Sequence, residues 1–304
     1  MNAVVTKQNA SRLANVVRGK IAKPIRIVLY STDGLGKSTW ASCAPRPIFI
    51  GAEDGTANLD VERMPGIHGW ADIVESAREL VTGEHPYKTV VLDTADWAEP
   101  MLWAHVAKAG GKKSIEDFGY GKGYAEALNG WRDLLSIFDA LRERRGMNVI
   151  VLAHSWIKPF KNPDGEDFDR YELKLHAKAS GLIREWADCV LFGNYETFTL
   201  EKNGRVKGVS TGARIIHTVR THAWDAKNRH GLPETLPLSW DAFASALAGE
   251  TPETWRERIA ALLAGAGEAL AARVNKAVAA AGEDAPALAR IHNHLSVTKK
   301  DGAQ

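Results

Sequence analysis

The chain has 304 residues, 45% of them hydrophobic and 25% charged, with a formal net charge of +2. That is enough chain for a full hydrophobic core, and it excludes both a disordered polyelectrolyte and a uniformly basic nucleic-acid binder. Two cysteines cannot build a disulfide framework and no long apolar run spans a membrane, so a reducing cytoplasm with no membrane partner is expected.

Residues 1–22 carry Lys7, Arg12, Arg18 and Lys20 but no apolar h-region, so they do not read as a signal peptide. Leu13, Val16, Val17 and Ile21 fit one face of a short helix, an arm packed on the body or on a neighbour. Ile25 to Tyr30 is an apolar strand that runs into a Gly-containing loop and then a helix over 37–43. A short strand follows from Pro47 to Gly51, then a helix from Trp70 to Val81. Lys88 to Asp93 is a buried strand. Helices over 96–108 and 123–145 are joined by a Gly- and Lys-rich loop. Asn148 to Ala153 is another buried strand, followed by a polar loop from Ser155 to about Tyr171 and a helix to about Ala187. Asp188 to Phe192 is the next strand, and Asn203-Gly204 signals a hairpin before a strand over 213–220. Short apolar strands alternating with helices predict an α/β fold with a mainly parallel twisted sheet covered on both faces. Composition shifts after Gly249, where Thr251-Pro252 starts one or two Ala-rich helices. The expected units are an arm over 1–22, a core over 23–249 and a helical tail over 250–304.

The loop reads Ser31-Thr32-Asp33-Gly34-Leu35-Gly36-Lys37-Ser38-Thr39. Small residues let backbone N–H groups face an anion, and the following helix start adds positive partial charge. The phosphate-loop pattern G-x-x-x-x-G-K-[ST] asks for Gly where this chain has Ser31, but the rest of its core is present. ATP is therefore the expected ligand of residues 31–39, with Lys37 reaching the β- and γ-phosphates and the Ser38 hydroxyl on Mg²⁺. Open α/β sheets bind ligands at the carboxyl ends of their strands. Asp93 ends one strand, His154 follows another, and Glu53 with Asp54 follows a third. Nucleotide hydrolysis needs a group on the Mg²⁺ shell (Asp93), a carboxylate that orients water (Glu53, with Asp54 as the neighbouring choice) and a polar γ-phosphate sensor (His154).

This ordered set resembles the layout of RecA-like P-loop ATPases. Phe49-Ile-Gly-Ala-Glu53-Asp54-Gly55 resembles the segment that holds the catalytic glutamate in that family. Ser114 to Tyr124, Leu152-Ala-His-Ser155, Glu185-Trp-Ala-Asp188 and Ala226 to Pro233 are similar to the bacteriophage branch, core-only RecA-like ATPases of the single-strand annealing kind. The resemblance covers about residues 22–245. It implies a DNA-stimulated ATPase that binds single-stranded DNA and promotes annealing in recombination. It further implies a homo-oligomer, ring or filament, and a single-strand-binding protein as a further partner. It implies that Lys227 and Arg229 enter a neighbour's nucleotide site in trans. A DnaB-like helicase or translocating motor shares the catalytic set, and an ATP-clamped DNA-binding scaffold with little hydrolysis is the third reading. The lack of an Arg-bearing sensor in a C-terminal helical lid sets an AAA+ assignment below these.

Single-strand binding wants cationic grooves with aromatic platforms. Two loops offer them: one with Lys112, Lys113 and Lys122, the other with Trp156, Lys158 and Lys161.

Overall fold

The computed structural model describes Val16, Arg18 and residues 23–163, 165–202, 205–249, 251–264 and 266–301. The apolar face expected of the arm (Leu13, Val17, Ile21) and the Asn203-Gly204 turn lie outside them.

Ile27, Val28, Leu29 and Tyr30 are all fully buried, which places their strand β1 (Arg26–Ser31) in the middle of a sheet covered on both sides. After it come α1 (Lys37–Ser42), β2 (Pro47–Gly51), the two-residue β3 (Glu62–Arg63), α2 (Trp70–Thr82), β4 (Thr89–Asp93), α3 (Ala95–Ala109), α4 (Lys122–Arg145) and β5 (Asn148–Phe160). Then follow β6 (Phe168–Leu173), α5 (Ala177–Trp186), β7 (Cys189–Lys202), β8 (Arg205–His217), β9 (Lys227–Asn228), β10 (Thr235–Pro237) and α6 (Trp240–Ala248). The chain ends in α7 (Pro252–Leu263), α8 (Glu268–Ala281) and α9 (Ala285–Asp301).

The sheet order is β10-β8-β7-β1-β5-β4-β2-β3. The strands β7, β1, β5, β4, β2 and β3 pair in parallel, and β8 and β10 add an antiparallel edge. Alternation sorts each strand's side chains between two cores. Val28 and Tyr30 join Val149 and Val151 under α2, α3, α4 and α5. Ile27 and Leu29 join Ile150 and Leu152 under α1 and α6, where Trp40 meets Trp240 and Phe243 edge to ring. This mainly parallel α/β sheet with helices on both faces is the class the sequence predicts.

Three segments differ from the sequence expectation, the first being the strand expected over 213–220, which belongs to the longer β8 and stops at His217. The stretch after His154 is not a polar loop: β5 continues to Phe160 and turns back as β6, pairing Ser155 with Leu173 through Phe160 with Phe168. Helix α5 accordingly starts only at Ala177. The tail holds three helices rather than one or two, around a small core of Trp255, Ile259, Val274 and Leu288. Thr251 does cap α7, accepting from the Thr254 amide, with Pro252 in the first turn.

Candidate functional site

The phosphate-loop segment springs from the C-terminal end of β1, between β5 and β7. Ser31 is fully buried and pairs with His154 on one side and Gly193 on the other. Its backbone is not left-handed; among the described residues only Arg46 and Tyr120 are non-glycines with positive φ. The place where the pattern asks for Gly therefore accepts Ser without strain. Gly34 and Gly36 stand at φ +69° and +106°, where a side chain is disfavoured. Among the described residues, no protein group accepts from the backbone amides of residues 34–39. A row of free amides on a glycine loop suits an anion. Thr32 is half-buried, while Asp33 and Thr39 are exposed. Leu35 is buried under β7, where a Cβ on Gly193 would meet its Cδ2 at 2.6 Å.

Lys37 folds back over the loop, its Nζ 3.4 Å from Ser31 Oγ and 3.3 Å from the Thr32 carbonyl. Burial pulls the pKa of its ammonium down, against Asp96, Asp33, Asp93 and Glu53, which support the charge.

Asp93 ends β4, one strand beyond β5. It is 1% exposed, and neither carboxylate oxygen has a hydrogen-bond partner. Burial pushes its pKa up, while the Ser38 hydroxyl, near it but outside hydrogen-bonding geometry, pulls it down together with Lys37 and His154. An orphaned buried carboxylate is costly without a cation or donors. A hydrated Mg²⁺ between Ser38 and Asp93 would satisfy it, since Mg²⁺ commonly takes one or two protein ligands, with phosphate oxygens and waters filling the rest. Among the described residues no group of three or more His, Cys, Asp or Glu is placed to hold a metal ion.

Glu53 is half-buried just past β2, its amide facing the Asp93 carbonyl oxygen at 3.4 Å. Burial raises its pKa; His154 opposes this and Asp93 and Asp96 reinforce it, so the four groups share one electrostatic neighbourhood. Asp54 is exposed. His154 is held by Asp96, a residue that the sequence reading misses. Asp96 Oδ1 accepts from the His154 amide and Oδ2 pairs with the ring Nδ1, both at 2.9 Å. The ring Nε2 lies 3.4 Å from Asp33 Oδ1, on the loop. Burial raises the Asp96 pKa, but the hydrogen bonds from His154 outweigh it and the net shift is down. The available signal is Asp93-Thr-Ala-Asp96: three residues on, the second acid falls in the first turn of α3.

Lys227 and Arg229 lie elsewhere. β9 pairs Lys227 with Val190 and Asn228 with Cys189, at the start of β7. Cys189 in turn faces Ile27, four residues and roughly 13 Å down β1 from the loop. The Lys227 Nζ donates to the carbonyls of Arg184, Glu185 and Ala187 at 2.9, 2.7 and 2.6 Å, closing the C-terminus of α5 in its own chain. The freely offered cation that the resemblance implies is thus engaged at Lys227. Arg229 is 53% exposed, and its 3.5 Å pair with Asp188 is longer than those Asp188 makes with Arg26 and Arg142.

Lys112, Lys113, Lys122 and Lys161 are exposed, and so is Tyr120, between two glycines. Trp156 is half-buried with the Lys158 ammonium 3.6 Å over its ring. Beside the first of these segments, Tyr124 of α4 stacks on His176 at the start of α5 at 4.7 Å, and burial, then Lys178 and Lys158, lower the His176 pKa. A separate cavity of about 890 Å³ opens between α2, α3 and α4 over Trp70, Val74, Leu102 and Phe118; it contains no phosphate-loop residue.

These features define a class: a P-loop α/β protein with acids and a histidine on adjacent strand ends. The chain belongs to the AAA_24 family, described as an AAA domain, whose model matches residues 23–230. The family model thus carries the AAA label that the sequence reading ranks below its alternatives. A prophage-derived relative, the SPbeta uncharacterized protein YorG of Bacillus subtilis (strain 168), is 25% identical over 154 residues, 48% of this chain and 44% of that protein. The chain therefore spans less than half of that relative's length. Among solved structures, the RadB recombinase is similar at TM-score 0.39 with 11% identity, over 74% of this chain and 91% of that one. The flagellar accessory protein FlaH of Methanocaldococcus jannaschii is similar at TM-score 0.36 with 10% identity, over 74% and 89%. No described helix is long and apolar enough to cross a membrane.

Proposed function

We propose that this chain is a RecA-like ATPase that hydrolyses MgATP on its phosphate loop, binds single-stranded DNA and promotes strand annealing as an oligomer. The observation that carries the nucleotide reading is the orphaned, buried Asp93 carboxylate beside a loop of free backbone amides and the Lys37 ammonium. In this reading the loop amides and Lys37 hold the β- and γ-phosphates, and Ser38 and Asp93 hold Mg²⁺, directly or through its waters. The bound Mg²⁺ supplies positive charge against the transferring phosphoryl group. Glu53 orients the attacking water. His154 offers Nε2 toward the loop because Asp96 occupies the other edge of its ring.

The DNA surface is assigned to the segment that carries Lys112, Lys113, Tyr120 and Lys122 and to the β5–β6 hairpin with Trp156, Lys158 and Lys161. The exposed Lys112, Lys113, Lys122 and Lys161 and the Trp156 ring beneath Lys158 support it. Arg229 is the cation offered to a neighbouring subunit, and Lys227 anchors the strand that presents it. A phage or prophage origin is supported by the SPbeta relative.

ATP turnover with and without single-stranded DNA, paired with sizing of the complex, tests this reading. DNA-stimulated turnover by an oligomer, lost in Lys37→Ala, is expected. Turnover coupled to unwinding would replace annealing by a motor, and DNA binding without turnover would leave a scaffold.

A further inference from the structure

β8 delivers a cation to the phosphate loop that the catalytic set above does not use. Arg214 pairs with Tyr195 across the β7–β8 hairpin. Its Nη1 donates to the Leu35 carbonyl oxygen at 3.0 Å. A Cβ built on Gly36 would stand 2.9 Å from that same nitrogen. The guanidinium therefore covers one side of the peptide unit between Leu35 and Gly36. A trans peptide carries its C=O and N–H on opposite sides. With the carbonyl turned to Arg214, the Gly36 amide faces away from it, and no described protein group accepts from that amide. A cation on the carbonyl also polarises the peptide and strengthens the amide as a donor. Arg214 makes no ion pair with a described acid, so its charge stays available to the loop.

We propose that Arg214 is a positioning residue for the polyphosphate of the bound nucleotide. It fixes the Leu35–Gly36 peptide so that its amide meets a phosphate oxygen, and it ties nucleotide binding to the β7–β8 hairpin. The base of that hairpin touches the loop a second time, where a Cβ on Gly193 would lie 2.6 Å from Leu35 and 3.3 Å from Ser31. The hairpin continues past this point as an antiparallel ribbon, so nucleotide held on the loop is felt along it. This inference rests on the nucleotide reading above. It adds a same-chain arginine that acts through the backbone rather than by touching the reacting phosphate.

The test is calorimetric titration of MgATP and MgADP into the full chain, wild type, Arg214→Ala, Arg214→Lys and Lys37→Ala. Thermal midpoints are measured without nucleotide, and hydrogen exchange of the hairpin with and without MgADP. Loss of one charge-assisted hydrogen bond weakens both nucleotides about 10- to 100-fold in Arg214→Ala. Arg214→Lys recovers part of that loss, and the nucleotide-free midpoint stays within about 2 °C of wild type, since a single part-buried bond from an exposed side chain contributes little to global stability. MgADP slows exchange in the hairpin of wild type but not of Arg214→Ala. Affinities within twofold of wild type in Arg214→Ala overturn the proposal. So does a lost affinity that comes with a fallen nucleotide-free midpoint and no rescue by Lys, which marks a merely structural residue. Absence of uptake by wild type overturns the nucleotide reading and this inference with it, an outcome distinct from normal uptake by both wild type and Arg214→Ala.

Discussion

His154 and Asp96 are joined twice, through the histidine amide and through its ring Nδ1, both at 2.9 Å. The double contact ties the carboxyl end of β5 to the first turn of α3. It fixes the orientation of the ring, with Nδ1 on Asp96 and Nε2 toward the loop. A ring held this way cannot rotate without breaking a charge-assisted bond to a side chain that is 3% exposed.

Asp96→Asn should therefore lower kcat for ATP about 10- to 100-fold while the nucleotide dissociation constant changes less than about threefold. It should also cost about 1–3 kcal/mol of stability at pH 7. Since the folded Asp96 pKa lies below its unfolded value, its stabilisation is complete above the ordinary carboxylate pKa and is lost as pH falls through the folded one. Urea midpoints of wild type and Asp96→Asn should converge as the pH is lowered below about 4. A constant gap would contradict the assignment.

Glu99, one turn further along α3, titrates with the opposite sign. It is 4% exposed, Oε2 accepts from the His176 amide at 2.8 Å, and Oε1 has no partner. Burial pushes its pKa up to about 7, against the His176 amide and Trp131. Between the unfolded value and about 7 the folded state holds a proton that the unfolded state has released, so stability falls as pH rises. Glu99→Gln keeps an acceptor for His176 and removes this slope. Above pH 7 it should be more stable than wild type by up to about 3 kcal/mol, read from urea unfolding at pH 5 and pH 8. Equal slopes in the two proteins would refute this.

Lys227 and Arg229 should separate cleanly. Lys227→Met strips three carbonyls at the end of α5 of their donor, and should cost about 1–3 kcal/mol of stability without altering ATP affinity. Arg229→Ala should fold normally, bind ATP and lose turnover. Mixed with Lys37→Ala it should regain some turnover if the cation acts between subunits. No recovery at any ratio would rule that arrangement out.

Ser31→Gly restores the usual phosphate-loop pattern, yet little gain is expected. Ser31 sits at a strand end with ordinary backbone angles, so glycine there should cost about 0.5–1 kcal/mol of stability. ATP affinity should move less than about threefold. A large rise in affinity would show that the serine strains the loop.

Much of this site is legible in the sequence because it is built from strand ends. Val90 to Leu92 and Val149 to Leu152 are short, wholly apolar runs that can only be buried strands, and Asp93 and His154 are placed by where those runs stop. Gly34 and Gly36 are legible for the same reason, since left-handed backbone leaves few other residues. The β5–β6 hairpin is not legible, because Pro159 and the acids Glu166, Asp167 and Asp169 read as a loop, whereas an edge hairpin tolerates both. Asp96 reads alone as an ordinary first-turn helix acid. Arg214 becomes a neighbour of Leu35 only through the order of strands β8, β7 and β1, which no local pattern encodes. The engagement of Lys227 with α5 is likewise a tertiary fact, since Lys227 and Arg184 lie 43 residues apart.

The account stands on a magnesium nucleotide seated between the Gly34–Ser38 loop and Asp93. Its most direct measurement is uptake of ATP by the full chain in calorimetry, with and without Mg²⁺, for wild type and Asp93→Asn. Saturable one-site binding by wild type that tightens with Mg²⁺, and binding by Asp93→Asn that no longer responds to Mg²⁺, is the expected result. No uptake by wild type, or an undiminished Mg²⁺ response in Asp93→Asn, would contradict it.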